Sequence, residues 1–522
     1  MVAVNLGPLY LIAIQVVSRA LTFVANQILL RHISPTAFGL ASQIELFSIS
    51  VLVFSRESIR LVSQRQPLQS TNVRHHRDVI HSQGSRKPGD VKNLEMQSVV
   101  NISYAAIAIG APMVYGFGKL YLHFIHDLEG VDSRGRLSFR VVQVAALLEL
   151  LSEPMFAVIQ HSMLYRTRAA IEMVSSVSRA IVSCGVTVLL ASNDDNVGIL
   201  PMALGQLAYA AILLGGYFTA TVPIANQLGF YLYPKRIRSS KVNSMLDLIP
   251  QHLITLSISL YMQSVAKHIL AQSDSLILAS LSSLEIQGQY ALASNYGGLL
   301  ARTIFQPIEE YSRNLFSRLV STGQNARAIN KQATAAKTYF TDIMRGYTIL
   351  CVLMVSVGPG MIPLGVKFVI GSRWNSLLTH QVLATYCYYL PFLALNGITE
   401  AFVSGAAKSS DLLSQTKWMG FFSVFLTGAS YFLLKNTELG VEGLVWANII
   451  HMLGRIIWSS MFIKTYFQQS PTSSSSIFAV FPKFSVWVIG FVGWLWLRTI
   501  STTSIESAFK ILVTVTCTVL TM

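Results

Sequence analysis

Charge is what this chain has least of. Asp, Glu, Lys and Arg make up only 12% of its 522 residues, and acids are the rarer sign, 24 against 39 basic residues. With 52% hydrophobic residues and a mean hydropathy of +0.51, the chain has too little polar surface for a soluble protein of this size. Cysteine is almost missing: Cys184, Cys351, Cys387 and Cys517 lie in apolar stretches with no CxxC or Cys/His spacing, which argues against a disulfide or metal site. Also missing are Gly-x-x-x-x-Gly-Lys-Ser/Thr, Gly-x-Ser-x-Gly and His-Glu-x-x-His, together with any soluble domain to carry them. ATP-driven transport and the common hydrolase chemistries are thereby set aside, and no cofactor is expected. The net charge of +15 is spread over small loop groups without a nucleic-acid-binding motif, so it does not point to nucleic acid.

What is present in quantity is membrane-length apolar sequence. At about 20 residues per span, fourteen stretches qualify, near 8–30, 38–64, 98–124, 139–163, 170–191, 198–220, 253–281, 286–317, 338–364, 376–402, 411–434, 441–463, 480–497 and 503–522. The expected fold class is an all-α polytopic membrane protein. No basic residue precedes Arg19, so the first stretch reads as a retained span and not a cleaved signal. With fourteen spans and a cytosolic N-terminus, the cytosolic loops hold 18 Lys and Arg, among them Arg65, Arg86, Lys235, Arg238, Lys331 and Lys464; the opposite loops hold 7, including Arg31, Arg134 and Lys367. That asymmetry places both termini in the cytosol.

The hydrophilic stretch 65–97 reads as a solvated loop. Residues 318–338 read as an interfacial helix from the spacing of Ala326, Ile329, Ala333 and Ala336, and Ser470–Ser476 as a polar linker. The sequon at Asn101 falls inside a span, out of reach of a glycosyltransferase.

A weak internal repeat divides the chain. Gln15-Val-Val-Ser-Arg19 aligns with Gln263-Ser-Val-Ala-Lys267 at an offset of 248, Phe54 with Phe305 at 251, and Arg60 with Arg313 at 253. An offset of six spans preserves orientation, as in transporters that rock two parallel bundles about a central site. The expected domains are a six-helix bundle over 1–220, a cytosolic linker over 221–252, a second bundle over 253–465 and two extra helices over 466–522.

Four basic residues, Arg19, Lys267, Arg302 and Arg455, sit near the centres of spans, where a cation costs at least about 2.5 kcal/mol. Arg56 and Arg60 share one helical face, with Glu57 beside them and Glu45 further back. Arg302 is followed by Gln306-Pro307-Ile308-Glu309-Glu310, where Pro307 is expected to kink the helix. Glu149 and Glu153 precede Pro154, with Asp274 and Glu400 on later spans. Two readings stand: structural pairs such as Arg56 with Glu45 or Arg302 with Glu309, or a basic cavity for an anionic group, guanidinium forks matching phosphate oxygens. The acids Glu45, Glu57, Glu153, Asp274, Glu309, Glu310 and Glu400 serve as counter-ions in either reading; carriage of protons or sodium by buried acids is a further one.

The run Ser18-Arg19-Ala-Leu21-Thr22-Phe23-Val-Ala-Asn26, with Leu30-Arg31, Ser34-Pro35 and Phe54-Ser-Arg56-Glu57, resembles the opening of the Rft family. Gln287-Gly288-Gln-Tyr290, Asn295-Tyr296-Gly297, Leu300-Ala301-Arg302 and Phe305-Gln306-Pro307-Ile308-Glu309-Glu310 resemble its central signature. Asn396-Gly-Ile-Thr-Glu400-Ala-Phe402 and Gly454-Arg455-Ile-Ile-Trp458-Ser459 resemble its later motifs, so the likeness spans the chain; at the motif Ala271-Gln272-Ser273-Asp274 only Asp274 matches. The resemblance implies the multidrug, oligosaccharidyl-lipid and polysaccharide exporter superfamily, with two six-helix bundles and two more helices. It also implies an endoplasmic-reticulum flippase for a dolichol-linked oligosaccharide, Man5GlcNAc2-PP-dolichol, that supplies N-glycosylation alongside other proteins of that pathway, and no enzyme. In that role Arg19, Arg56, Arg60, Lys267, Arg302 and Arg455 would neutralise the pyrophosphate, while the lipid tail stays in membrane lipid between bundles. The alternative is a non-transporting protein that binds the same lipid and hands it on.

Overall fold

The computed structural model describes residues 23–65, 88–124, 133–191, 198–236, 244–245, 249–250, most of 257–269, 272–321, 326–407, 409–435, 439–468 and most of 488–495. Arg19, the linker 470–476 and the final span 503–522 lie outside the described residues, as do most of the loop 65–97 and Cys517. The described chain is helical apart from loops and one antiparallel bridge, β1 (Ser244–Met245) with β2 (Ile249–Pro250). Seven of its helices are long and apolar enough to cross a membrane. The chain divides into two compact units, Met1–Ala271 and Gln272–Met522.

In the first unit, α1 (Pro35–Leu52) starts where Pro35 presets the helical φ and the Ser34 hydroxyl accepts from the Ala37 amide at 3.2 Å. It passes through a π-helical turn, Val53–Glu57, into α2 (Ser58–Arg65). Ser55 donates its hydroxyl to the Val51 and Leu52 carbonyls at 2.7 and 3.2 Å, satisfying acceptors at the widened turn. Helix α3 (Pro88–Phe124) is 37 residues long, about 55 Å at 1.5 Å per residue. Residues 88–97, expected in a loop, are therefore its first turns, with Pro88 at the start where its missing amide costs nothing. Helix α4 (Ser133–Leu151) breaks at Ser152 before α5 (Glu153–His161), because Pro154 has no amide to continue the ladder and Ser152 caps the Glu149 carbonyl at 2.7 Å. Helices α6 (Tyr165–Ala191) and α7 (Leu200–Leu228) follow. Helix α6 leaves Ile181, Val188 and Leu189 exposed, an apolar outer face suited to lipid.

Residues 221–228, expected in the cytosolic linker, prolong α7. The next segment is pinned to α3: Asn93 donates to the Gly229 carbonyl at 2.9 Å, Tyr104 to Leu232 at 2.8 Å, and Asn101 donates to the Lys235 carbonyl while accepting its amide, at 2.7 and 3.0 Å. Gln97 does the same for Tyr233 and Tyr231 at 3.0 and 2.9 Å. Asn101 is thus a buried backbone clamp.

The second unit contains α8 (Ser273–Leu281), which ends the stretch read as one span over 253–281, and α9 (Leu284–Leu300). A second π-helical turn, Ala301–Phe305, joins α9 to α10 (Gln306–Ser321). The helix runs on through Pro307; the wide turn before it absorbs the missing hydrogen bond that was expected to kink it. Helix α11 (Ala326–Gly365) is continuous for 40 residues. Residues 326–338 are its first turns, with Ala333 and Ala336 buried, and not a separate interfacial helix. Helices α12 (Leu377–Ala406), α13 (Ser409–Lys435) and α14 (Gly440–Gln468) complete the unit, with a helical stretch over 488–495. Phe305, Phe316, Phe340, Phe402, Ile463 and Phe467 form its aromatic core.

The π turn of the first unit, beginning at Val53, lies 248 positions before one of the two in the second, that beginning at Ala301; the other, Val366–Ile370, ends α11. That offset equals the one relating Gln15 to Gln263, and both turns are five residues long. At the turns themselves the residue matches run at 251, from Phe54 to Phe305, so the turns lie close to the repeat's register without reproducing it.

Candidate substrate site: a buried charge cluster in each unit

In the first unit the π turn and the break at Ser152 bring two i, i+4 stripes face to face. Arg56 donates to Glu149 at 2.8 Å and to Glu153 at 3.1 Å. Arg60 forks onto both oxygens of Glu153, Nε reaching Oε2 at 2.8 Å and Nη2 reaching Oε1. Glu149 and Glu153 are buried, so the pairs hold charge in a low dielectric, where losing one partner is expensive. The Arg60 guanidinium also lies over the Phe156 ring at 3.9 Å, and that of Arg168 over the same ring at 4.9 Å. Arg168 continues outward to Glu172 at 2.9 Å and Gln160 at 2.7 Å, and Glu172 accepts from Tyr217 at 3.2 Å.

The expected pairing of Arg56 with Glu45 is replaced by Glu149 and Glu153, which reach the guanidinium from another helix. Glu45 is exposed and lines, with Arg56, Glu149, Arg179, Gln206 and a majority of apolar residues, a cavity of about 220 Å³. The Glu149 oxygen not used by Arg56 is buried without a partner. Glu57 is half-buried and makes no ion pair with a described residue, and Lys267 is exposed, likewise without an ion pair.

In the second unit three motifs converge. Arg455 of α14 donates to Glu400 of α12 at 2.6 Å, and Asn396 donates to the same Glu400 oxygen at 3.2 Å. The Glu309 carboxylate of α10 rests on Gly397, where a Cβ would overlap it. Gly397, Ala401 and Gly405 follow one another at four-residue steps on α12 toward α10, and a Cβ at Gly405 would meet the Arg313 carbonyl and Ser317 amide at 3.0 Å. Small residues at this spacing let two helix backbones approach closely. The cluster has spare capacity: Asn396 Oδ1, Arg455 Nε and the nearby Tyr347 hydroxyl are buried without partners. Glu309 makes no hydrogen bond or ion pair with a described residue, so the expected Arg302–Glu309 pair does not form. Glu310 instead accepts from Gln306 at 3.1 Å. Arg302, on the π turn, is exposed and unpaired among the described residues. Asp274 lies in the first turn of α8.

Six expected residues thus fall into the two clusters: Arg56, Arg60 and Glu153 in the first unit; Arg455, Glu400 and Glu309 in the second. Glu149 joins the first as a full member. Phe156 and the Arg168–Glu172 pair had no sequence signal beyond a charge four residues from its opposite at a span end. The clamp of Gln97, Asn101 and Tyr104 was announced only by amides at i, i+4 in an apolar helix.

Apolar-surfaced helices around paired interior charges define a polytopic membrane protein of the multidrug, oligosaccharidyl-lipid and polysaccharide exporter fold. Two solved structures share it: a lipid II flippase MurJ in an inward closed conformation, with a TM-score of 0.62 at 12% identity over 97% of this chain and 96% of that one, and a multidrug resistance MATE family transporter in an inward-facing conformation, with 0.56 at 12% over 86% and 96%. The chain belongs to the Rft protein family, whose model matches residues 5–522. Three fungal proteins named Man(5)GlcNAc(2)-PP-dolichol translocation protein RFT1 are similar along most of its length. That of Eremothecium gossypii is 32% identical over 94% of this chain and 89% of its own, that of Yarrowia lipolytica 31% over 88% and 70%, and that of Saccharomyces cerevisiae 30% over 90% and 84%.

Proposed function

We propose that this chain translocates Man5GlcNAc2-PP-dolichol from the cytosolic to the lumenal leaflet of the endoplasmic-reticulum membrane, for N-glycosylation, as a multi-pass protein with both termini cytosolic. The observation that carries the reading is the full-length similarity to relatives named for that translocation. The fold shared with a lipid II flippase supports it, since a polyprenyl-pyrophosphate headgroup poses the same physical problem. A diphosphate resists entry into hydrocarbon because its charge must be desolvated, and cations in a water-filled cavity lower that cost. The protein does no chemistry on its cargo.

Within this reading the headgroup site is built from Arg19, Lys267 and Arg302, with Arg56, Arg60 and Arg455 as a reserve that must first release Glu149, Glu153 and Glu400. Two bundles over 1–220 and 253–465, with two added helices over 466–522, alternate access around it, and partners from the glycosylation pathway take up the product. Reconstitution tests the reading. Purified chain in vesicles should accelerate transbilayer movement of the glycolipid, and Arg302→Gln or Lys267→Gln should remove that acceleration while leaving the fold intact. Tight binding without acceleration would instead establish the second reading, a non-transporting protein that hands the lipid on.

A further inference from the structure

One polar feature of the first unit is left over once its ion pairs are assigned. It is the cavity of about 220 Å³ bounded by α1, the π turn, α4, α6 and the start of α7. The Arg56–Glu149 pair forms part of its wall. Glu149 is only 4% exposed; Arg56 holds its Oε1, and its Oε2 is buried without a partner. Arg179, Gln206 and Tyr209 line the same space, and none of them makes a hydrogen bond with a described residue. Tyr209 stands within electrostatic reach of Glu149, Arg56 and Arg179, which brings the four to one place. Most of the remaining lining is apolar, including Ile44, Leu52, Val142 and Met202.

This inventory selects the occupant. Arg56 and Arg179 are matched in number by Glu45 and Glu149, so the lining carries no net charge and favours neither a phosphate nor a metal ion. An ammonium group finds no unmatched carboxylate inside, because Glu149 already pairs with Arg56 and Glu45 is exposed. A lipid chain would bury the polar groups without partners. A neutral molecule rich in hydroxyls meets every requirement. Each hydroxyl both donates and accepts, whereas a carboxylate oxygen only accepts and a guanidinium only donates. Neighbouring hydroxyls on one ring therefore satisfy Glu149 and Arg179 together, through charge-assisted bonds. Size narrows the choice: the cavity is smaller than the roughly 300 Å³ at which drug-sized sites begin, which leaves room for a single ring.

We propose that this pocket takes one hexose of the glycan headgroup. Glu149 Oε2 accepts from one hydroxyl, Arg179 donates to the next, Gln206 and Tyr209 bond the others, and Arg56 stays on Glu149 and Glu153. Mannose, without the bulk of an acetamido group, is the sugar of that headgroup that suits the volume. The inference rests on the translocation reading for the source of the hexose, and it gives the protein a grip on the glycan separate from any grip on the pyrophosphate.

The test uses the full-length protein in nanodiscs with two glycolipids, Man5GlcNAc2-PP-dolichol and the mannose-free GlcNAc2-PP-dolichol. Wild type should bind the first about tenfold more tightly. Arg179→Gln and, independently, Ala203→Leu, which fills the cavity, should each remove that preference while leaving affinity for the mannose-free lipid unchanged. Arg179→Lys should restore most of it, and thermal unfolding confirms that each variant is folded. A diazirine on mannose should label peptides covering 142–149 and 199–209. The free, lipid-less oligosaccharide should compete for that labelling, and glycine, a zwitterion, should not. Equal affinity of wild type for the two lipids, an equal loss for both in the variants, displacement by glycine, or labelling elsewhere would each overturn the proposal. A mannose preference that the variants remove, in a protein that moves no glycolipid, would leave the pocket standing and remove translocation; movement without such a preference would do the reverse.

Discussion

The two charge clusters are built from the same residue types and reach opposite states. In the first unit, two arginines meet two buried glutamates, one of them bidentately, so the charges balance within one set of contacts. In the second, one arginine touches one glutamate at a single point, a second acid stands by without a pair, and three buried polar atoms have no partner. Balanced in charge, the first cluster locks α2 to α4 and α5 and leaves one Glu149 oxygen without a partner. The second has an acid more than it has cations, and its groups have bonds still to make.

The geometry behind this difference lies in the π turns. Aligned at their shared offset of 248, Arg56 is the fourth residue of the first turn and Arg302 the second residue of the other. Two residues turn a helical side chain by about 200°. Arg56 therefore points into its unit and finds glutamates, while Arg302 points out and finds none.

The largest effect that would break the comparison is Glu153→Gln. It leaves Arg60 and Arg56 without their shared carboxylate, at a cost of about 3–5 kcal/mol, to be read from denaturant or thermal unfolding in detergent; an unfolding curve matching wild type would show that the cluster is no lock. Glu400→Gln should cost less, about 1–2 kcal/mol, since its pair with Arg455 is single-point and both side chains are partly exposed, at 29% and 20%. Equal losses for the two variants would erase the distinction between the units. Smaller again, Phe156→Leu removes the ring under Arg60 and Arg168 and should lower stability by about 1 kcal/mol, with the loss shrinking when Arg168→Gln is already present, as a double-mutant cycle reports. Smallest for the fold is Arg302→Gln, within about 0.5 kcal/mol of wild type, yet it should stop glycolipid movement in vesicles. A variant that transports normally would take Arg302 out of the headgroup site.

Much of the fold was legible in residues. Hydropathy marked the long apolar helices, seven of which are described as long enough to cross a membrane. Boundaries were misread where charge and helicity disagree: Pro88 to Gln97 and Ala326 to Thr338 are polar enough to read as loop or surface, yet both are the first turns of long helices. For the site, the participants were legible and the partners were not. Glu45 is near Arg56 in the chain, whereas Glu149 lies 93 residues away, and only the bend at Ser152 aims it at the guanidinium. No local pattern encodes such a meeting. The same holds for Glu309, whose seat is set by the absence of a side chain at Gly397 on another helix.

A π turn closes its ring with one residue more than an α turn does. Each helix that contains one within its length therefore stores a spare residue in its ladder. Deleting a single residue inside Val53–Glu57 or Ala301–Phe305 can be absorbed by tightening that turn to α geometry: four residues at about 100° each cover nearly the rotation that five cover in the wider turn, so the helix beyond keeps its facing. In the first unit Arg60 would therefore stay on Glu153 after such a deletion, whereas the same deletion in an ordinary α turn of that helix would turn it away by about 100°.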